Sequence, residues 1–317
     1  MTTRSLVLLS GEDTTIPEAE ARALFLAYDP GSKFETPERR VLIVESEADP
    51  LIVSSRIAFA RRVGRLIGTP SDAAAEVQTK KVRLRSFDLR TKPKVDPERL
   101  LRGVEAKVDL ADPDFEFTLV RGEGEYLALT SPRKMRQAWS IRRPRARPFF
   151  HPSAIFPKLS RALVNLTRCR EGDMFLDPFA GTGSLPLEAA LVGARVVALD
   201  QVAKMAQGSQ SNMRHFRQEW LGVLRADAFH APLTEVDSVA TDVPYGRASS
   251  TRGVDGRDVL ERSLSALPGI LRRGSRLVVM HPQRLGVKGS HDFALEEEHD
   301  LYIHKLLTRT ITVLRRR

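Results

Sequence analysis

Short apolar runs alternate with longer stretches in which apolar residues recur every three or four positions, the mark of strands mixed with amphipathic helices. Residues 5–9 and 40–45 read as strands and 62–67 as a shorter one. Residues 17–28, led by Pro17, read as a helix, as do 49–59, which gives a β-α-β-α-β order typical of small α+β modules. From 70 to 140 the periodicity weakens. It predicts a helix at 97–105 and strands at 114–121 and 125–130 around the turn Gly122-Glu123-Gly124. Residues 141–152 hold three prolines and four arginines. Proline lacks a backbone donor and disfavours helix before it, so this stretch reads as an extended linker and a domain boundary. Beyond it the pattern is regular: helix 153–168, strand 173–177, helix 183–192, strand 195–200, helix 201–215, strands 223–227 and 237–242, helix 256–267 and strand 275–280. Such alternation predicts an α/β fold with a parallel, doubly wound sheet, closed by a strand at 311–314 antiparallel to one near 293–297.

Composition narrows the class. With 317 residues, 42% hydrophobic and 28% charged, the chain suits two or three domains and is neither disordered nor fibrous. One cysteine, Cys169, excludes an internal disulfide framework and a cysteine-rich metal site, and suits a reducing, cytoplasmic compartment. No stretch of about 18 apolar residues predicts a membrane span. No histidine or cysteine spacing points to a metal.

Charge changes the picture more. The net charge is +10, but residues 1–170 hold 31 Lys and Arg against 22 Asp and Glu, whereas 171–317 hold 19 against 18. Residues 131–170 carry eleven basic side chains and no acidic one. Arg133, Lys134, Arg136, Arg142, Arg143, Arg145 and Arg147 head that run and are the candidate contacts to a polyanion such as RNA, since guanidinium forks match phosphate oxygens.

Three strand ends carry candidate chemistry. The first is Asp177-Pro178-Phe179-Ala180-Gly181-Thr182-Gly183-Ser184, between a strand and a helix, whose glycines let the backbone turn tightly against a ligand. Asp200 ends the next strand, where a carboxylate can take both ribose hydroxyls of a nucleoside cofactor. That pair fits a dinucleotide as well as S-adenosylmethionine, although Pro186 departs from the dinucleotide pattern. The second is Asp227-Ala228 after the third strand, a candidate for the adenine amine. The third is Thr241-Asp242-Val243-Pro244-Tyr245-Gly246. An acid followed by Pro-Tyr suits methylation of an exocyclic amine on a planar base. The amine lone pair is delocalised into the ring, and Asp242 with a backbone carbonyl can accept its N–H bonds and aim it. Tyr245 can stack on the base, worth roughly 1–3 kcal/mol.

At these residues the chain resembles the tRNA guanine-N2 methyltransferases of the archaeal position-ten type, which carry a THUMP RNA-binding domain. Arg147–Leu166 looks like that family's entry into its catalytic domain, Val108–Asp114 like the THUMP strand before its core hairpin, and Tyr302–Arg309 like its closing motif. The resemblance implies a ferredoxin-like domain at 1–68, THUMP at 69–140, a linker at 141–152 and a Rossmann-like methyltransferase domain at 153–317. It also implies S-adenosylmethionine as donor, a tRNA guanosine as acceptor and, for some relatives, a small zinc-binding activator subunit. By motif, Asp177, Phe179, Gly181, Thr182 and Gly183 would surround the methionine part of the cofactor, with Asp200 on the ribose and Asp227 and Ala228 at the adenine. Asp242, Pro244 and Tyr245 would hold and stack the guanine. Val243 stands where the family usually has proline. Losing proline's fixed φ predicts a less rigid loop, with lowered activity or an altered preference between one and two methylations. Two other readings stay open on the residues alone: an amino-methyltransferase of another nucleic acid, and a non-catalytic RNA-binding protein with a relic domain.

Overall fold

The computed structural model describes residues 2–12, 14–90, 104–132, 139–244, 256–305 and 307–317. The chain divides into two compact units, Met1–Asp13 with Pro17–Arg136, and Thr14–Ile16 with Gln137–Arg317.

In the first unit the elements run β1 (Thr3–Leu9), α1 (Ile16–Tyr28), β2 (Lys33–Glu38), β3 (Val41–Ser46), α2 (Pro50–Arg56), β4 (Ala60–Ile67), α3 (Ala74–Val77), β5 (Lys81–Asp88), β6 (Lys107–Val108), β7 (Phe115–Arg121) and β8 (Glu125–Thr130). They build one sheet in the order β2-β3-β1-β4-β8-β7-β5-β6. Alternation along β1 splits its apolar residues between two faces. Val7 and Leu9 pack with Leu24 and Phe25 of α1 and Val53 of α2, while Leu6 and Leu8 pack with Val41, Val120 and Ala128. The buried Glu20 carboxylate accepts the N–H groups of Ala58 and Phe59 at 2.8 and 2.7 Å, tying the start of β4 to α1. The sequence order β-α-β-α-β thus gains the hairpin strand β2. Segments 1–68 and 69–140 share this sheet, because β4 pairs with β8 from Gly64↔Thr130 to Ile67↔Leu127. The close approach needs glycine: a Cβ at Gly64 would lie 2.2 Å from the Leu129 carbonyl oxygen. Most of the helix expected at 97–105 lies outside the described residues.

The second unit comprises α4 (Pro157–Leu166), β9 (Met174–Asp177), α5 (Ser184–Ala190), β10 (Arg195–Asp200), α6 (Ala203–His215), β11 (Gly222–Arg225), β12 (Val236–Asp242), α7 (Gly256–Ala266), β13 (Leu271–Pro282), β14 (Phe293–His304) and β15 (Leu307–Arg316). Its sheet runs β11-β10-β9-β12-β13-β15-β14. The first five strands are mutually parallel, and β15 is antiparallel to both β13 and β14. The chain order reverses between β9 and β12, and in open α/β sheets ligands bind at the carboxyl ends of strands beside such a reversal. Leu176, Leu199, Val239, Leu277 and Leu314, one from each of five strands, form the core beneath that edge.

The segment 141–152 is not an extended linker. It contains a short turn, Pro144–Ala146, and is pinned to α5 by two of its arginines. Arg142 is 6% exposed and forks onto the buried Glu188 (Nε to Oε1 2.7 Å, Nη2 to Oε2 3.3 Å). Arg147 is 5% exposed, donating from Nη1 to Ser184 Oγ at 2.7 Å and from Nε to the Arg142 carbonyl at 2.9 Å. Burial pulls the Arg147 guanidinium down to about 10. The charge pattern predicts that both face RNA. They are corrected to internal clamps: Arg142 supplies counter-charge to the buried Glu188, and Arg147 ties the segment to Ser184 and to the Arg142 carbonyl.

Candidate active site

The three acids expected at strand ends come together. Asp177 ends β9, Asp200 ends β10 and Asp242 ends β12, and all three line a cavity of about 610 Å³ together with Phe179, Gly181, Thr182, Met205, Val243 and Pro244. The loop after β9 turns through Gly181 (φ +53°) and Gly183 (φ +78°), both in the left-handed region where a side chain is strained. A Cβ at Gly183 would also lie 2.3 Å from Ser209 Oγ. Asp200 fastens this loop. Its Oδ2 accepts the Gly181 N–H at 2.9 Å and its Oδ1 the Val202 N–H at 2.8 Å.

Burial sets the electrostatics. It pushes Asp177 up to about 7, although the Thr241 hydroxyl (2.8 Å) and the Phe179 N–H (3.1 Å) both donate to its Oδ1. It pushes Asp242 up to about 6 against the opposing charge of Arg309. Asp200 is raised too, against its two backbone donors. Arg309 Nη1 donates to Asp242 Oδ2 at 2.9 Å, whereas the buried Asp242 Oδ1 has no hydrogen-bond partner among the described residues. Asp242 has Arg309 as its counter-charge, whereas the donors to Asp177 and Asp200 are neutral hydroxyl and backbone groups, so these two carboxylates give the cavity an affinity for a cation. That suits S-adenosylmethionine, whose sulfonium and ammonium are positive, with an apolar wall at Phe179, Met205 and Phe229 for its ring.

Not every expected residue lies on the wall. Asp227 and Ala228 do not line the cavity. The Asp227 carboxylate instead caps a one-turn helix, accepting from Phe229 N–H at 3.1 Å and Gln201 Nε2 at 3.0 Å, with His230 Nδ1 3.0 Å away. Burial alone would raise it, but these partners hold it below the usual carboxylate range. The turn it caps carries Phe229 to the wall, edge-on to Phe179 at 6.1 Å and under the Arg262 guanidinium at 3.9 Å. Gly183 likewise lies behind the wall as the cap of α5.

Val243 itself is anchored. Its side chain is fully buried in the sheet core, and its N–H donates to the Met280 carbonyl at 3.0 Å. Proline at this position has no such N–H, so here ladder and core hold Val243 where proline would fix φ by its ring. Tyr245, Arg133, Lys134 and Arg136 lie outside the described residues. Arg143 and Arg145 are exposed. His281, beside Met280, is structural: its ring contacts Thr312 Oγ1 at 2.9 Å and the Pro282 carbonyl at 3.0 Å. Sequence reasoning missed Phe229, Arg262 and Arg309, which reach the cavity only through tertiary packing. For Arg309 the one signal was its place in the closing motif.

The RMKL-like methyltransferase domain family matches residues 144–289. The chain is 32% identical to the tRNA (guanine(10)-N2)-dimethyltransferase of Methanothermobacter thermautotrophicus, across 98% of this chain and 99% of that one. It is 28% identical to the tRNA (guanine(10)-N2)-dimethyltransferase of Methanocaldococcus jannaschii, across the same shares. The crystal structure of TrmN from Thermus thermophilus shares the fold, with a TM-score of 0.51 at 20% identity over 99% of this chain and 100% of that one.

Proposed function

The chain belongs to the family of tRNA (guanine(10)-N2)-dimethyltransferases, and from that premise we propose how its own residues divide the reaction. It is an S-adenosylmethionine-dependent enzyme that methylates the exocyclic N2 amine of guanosine in tRNA. We place the target at position ten, with both amine hydrogens replaceable in turn. The observation that carries the mechanism is Asp242: a carboxylate at the end of β12 on the cavity wall, one oxygen held by Arg309 and the other buried without a partner among the described residues.

S-adenosylmethionine, when bound, supplies an electrophilic methyl group on a sulfonium. Asp177, Asp200 and the turn at Gly181 and Thr182 would hold it, with Phe179 and Phe229 against its ring. Asp242 Oδ1 and the Val243 carbonyl would accept the two N–H bonds of guanine N2, drawing the lone pair out of conjugation and toward the methyl carbon. Tyr245 would stack on the base beyond Pro244. Accepting the methyl group would leave N2 positively charged, and Asp242 Oδ1 would take one of its two protons and pass it on to water, restoring a neutral amine.

The first unit is read as the RNA-gripping part. The order β2-β3-β1-β4 with β-α-β-β-α-β connectivity supports a ferredoxin-like domain over 1–68, followed by a THUMP domain over 69–140. Arg133, Lys134, Arg136, Arg143 and Arg145 would contact phosphates, and a tRNA substrate suits a cytoplasmic location.

Nucleoside mass spectrometry of a tRNA transcript incubated with the protein and S-adenosylmethionine tests this reading. N2-methylguanosine and N2,N2-dimethylguanosine are the expected products. Methylated adenosine or cytidine instead would overturn the substrate class. Asp242→Ala should abolish both products while S-adenosylmethionine affinity by calorimetry stays within a few-fold. Running the assay with and without a small zinc-binding activator subunit separates an enzyme that works alone from one that needs that partner.

A further inference from the structure

We propose that Arg309 is the positioning residue of this active site: it fixes Asp242 as an ionised carboxylate with one oxygen engaged and the other presented to the substrate amine. The inference rests on the reading of Asp242 given above and goes beyond it to a residue on a different strand.

The geometry is a reach across the sheet. Asp242 pairs with Met280 on β13, and Arg309 lies on β15, on the other side of β13, opposite Pro282. Its backbone is also paired with Leu301 on β14, so antiparallel ladders hold it from both sides. The guanidinium extends over Met280, with Nη1 3.6 Å from the Met280 sulfur and 2.9 Å from Asp242 Oδ2. Both side chains are 16% exposed, so the pair is little screened by water. An ion pair built across three strands fixes the carboxylate plane. The oxygen left over is Oδ1, the one buried without a partner among the described residues.

Chemistry explains why the charge is needed. A neutral carboxyl group has one hydroxyl donor and cannot accept an N–H through that oxygen's proton, nor take up the proton that N2 releases. Burial drives Asp242 toward that neutral form, and Arg309 is the cation that opposes it. Among the described residues the other ionisable groups on the cavity wall are His151, Asp177, Asp200 and Arg262. Neighbours on the adjoining strands are engaged elsewhere. His281 turns to Thr312, and Asp300 accepts from Thr310 Oγ1 at 2.7 Å and Gln283 Nε2 at 2.8 Å.

The test is the pH profile of kcat for full-length enzyme on tRNA with Arg309→Met and Arg309→Lys. Arg309→Met is expected to lose roughly 100-fold in kcat at pH 7, with KM for S-adenosylmethionine changed less than about threefold. Its acid limb should move up by about one pH unit or more, so that much of the loss returns near pH 9. Arg309→Lys keeps the charge on a shorter, single-pointed donor. It should keep the limb near its wild-type position while losing roughly tenfold in kcat. A uniform loss at every pH in Arg309→Met would mean a merely structural role and overturn the proposal. If Arg309→Met does not fold, Arg309→Lys decides alone, and wild-type kcat in that variant overturns positioning. Asp242→Asn separates the two levels. If it stays active, the reading of Asp242 fails. If it is inactive while the Arg309→Met limb is unmoved, only the role of Arg309 fails.

Discussion

Asp177 shows how a single buried carboxylate couples ligand, pH and stability. Held up at about 7 by burial, it keeps its proton in the folded chain across a range where the unfolded chain has already lost it. The folded state therefore binds more protons between about pH 4 and 7, and stability falls as pH rises through that window. Asp242, at about 6, adds to the same trend. A bound cation reverses the sign by favouring the ionised forms. The melting temperature of the ligand-free protein, followed by scanning fluorimetry, should thus decline from pH 5 to 8, and less steeply in Asp177→Asn. The upward shift on adding S-adenosylmethionine should grow over the same interval. Equal shifts at pH 5.5 and pH 8 would dismiss the view that this cavity recognises positive charge. The acids themselves were legible in the sequence, because a strand end marks its own last residue. Their coupling was not: the Thr241 hydroxyl that holds Asp177 and the guanidinium that holds Asp242 come from 64 and 67 residues away.

At the scale of elements, α5 is the part on which the cofactor loop depends. Its first residue follows Gly183, and its Glu188 is fully buried between two cations, with Arg142 Nε at 2.7 Å and Arg161 Nη2 at 2.8 Å. Trp139 lies against both guanidinium groups, 4.9 and 5.8 Å from its ring centre. Removing the carboxylate strands two buried positive charges, a change that typically costs about 3–5 kcal/mol. Glu188→Ala should lower the denaturation midpoint accordingly and, by freeing the N-terminus of α5, weaken S-adenosylmethionine binding by more than about tenfold. A variant that loses stability yet binds at wild-type affinity would separate the clamp from the loop. The second sheet was legible almost strand for strand, because buried parallel strands are continuous apolar runs. In the first sheet β2 and β5 were not. β2 is an edge strand of sequence Lys-Phe-Glu-Thr-Pro-Glu, and its register shifts between Glu35 and Glu38. β5 carries Arg83 and Arg85 on one face, which resembles a solvated stretch until Glu116 is seen beneath them.

Charge has to be recounted for the whole molecule once the side chains are placed. Arg62, Arg83 and Arg85 converge on Glu116, which is fully buried; burial pushes that carboxyl up, and the three guanidinium groups outweigh it and hold it low. Arg142 and Arg161 are committed to Glu188, and Arg147 to Ser184. The basic excess of residues 1–170 thus overstates what is free to meet RNA, and the share folded inward was invisible to composition. Among the described members of the predicted set, Arg143 and Arg145 keep their side chains outside, Arg145 over the half-exposed ring of Phe150 at 5.9 Å. If these two contact phosphates, each contributes about one released counterion to binding, so the double variant Arg143→Ser/Arg145→Ser should flatten the plot of log affinity for tRNA against log salt by roughly 1.5–2. Affinity should fall most at low salt, where counterion release is worth most. S-adenosylmethionine affinity should not move, because neither residue lines the cavity. Filter binding between about 50 and 200 mM salt reads the slope directly. An unchanged slope would assign the electrostatic footprint to other cations of the first 170 residues. A parallel loss of cofactor binding would mean that the two arginines serve the fold of their own segment.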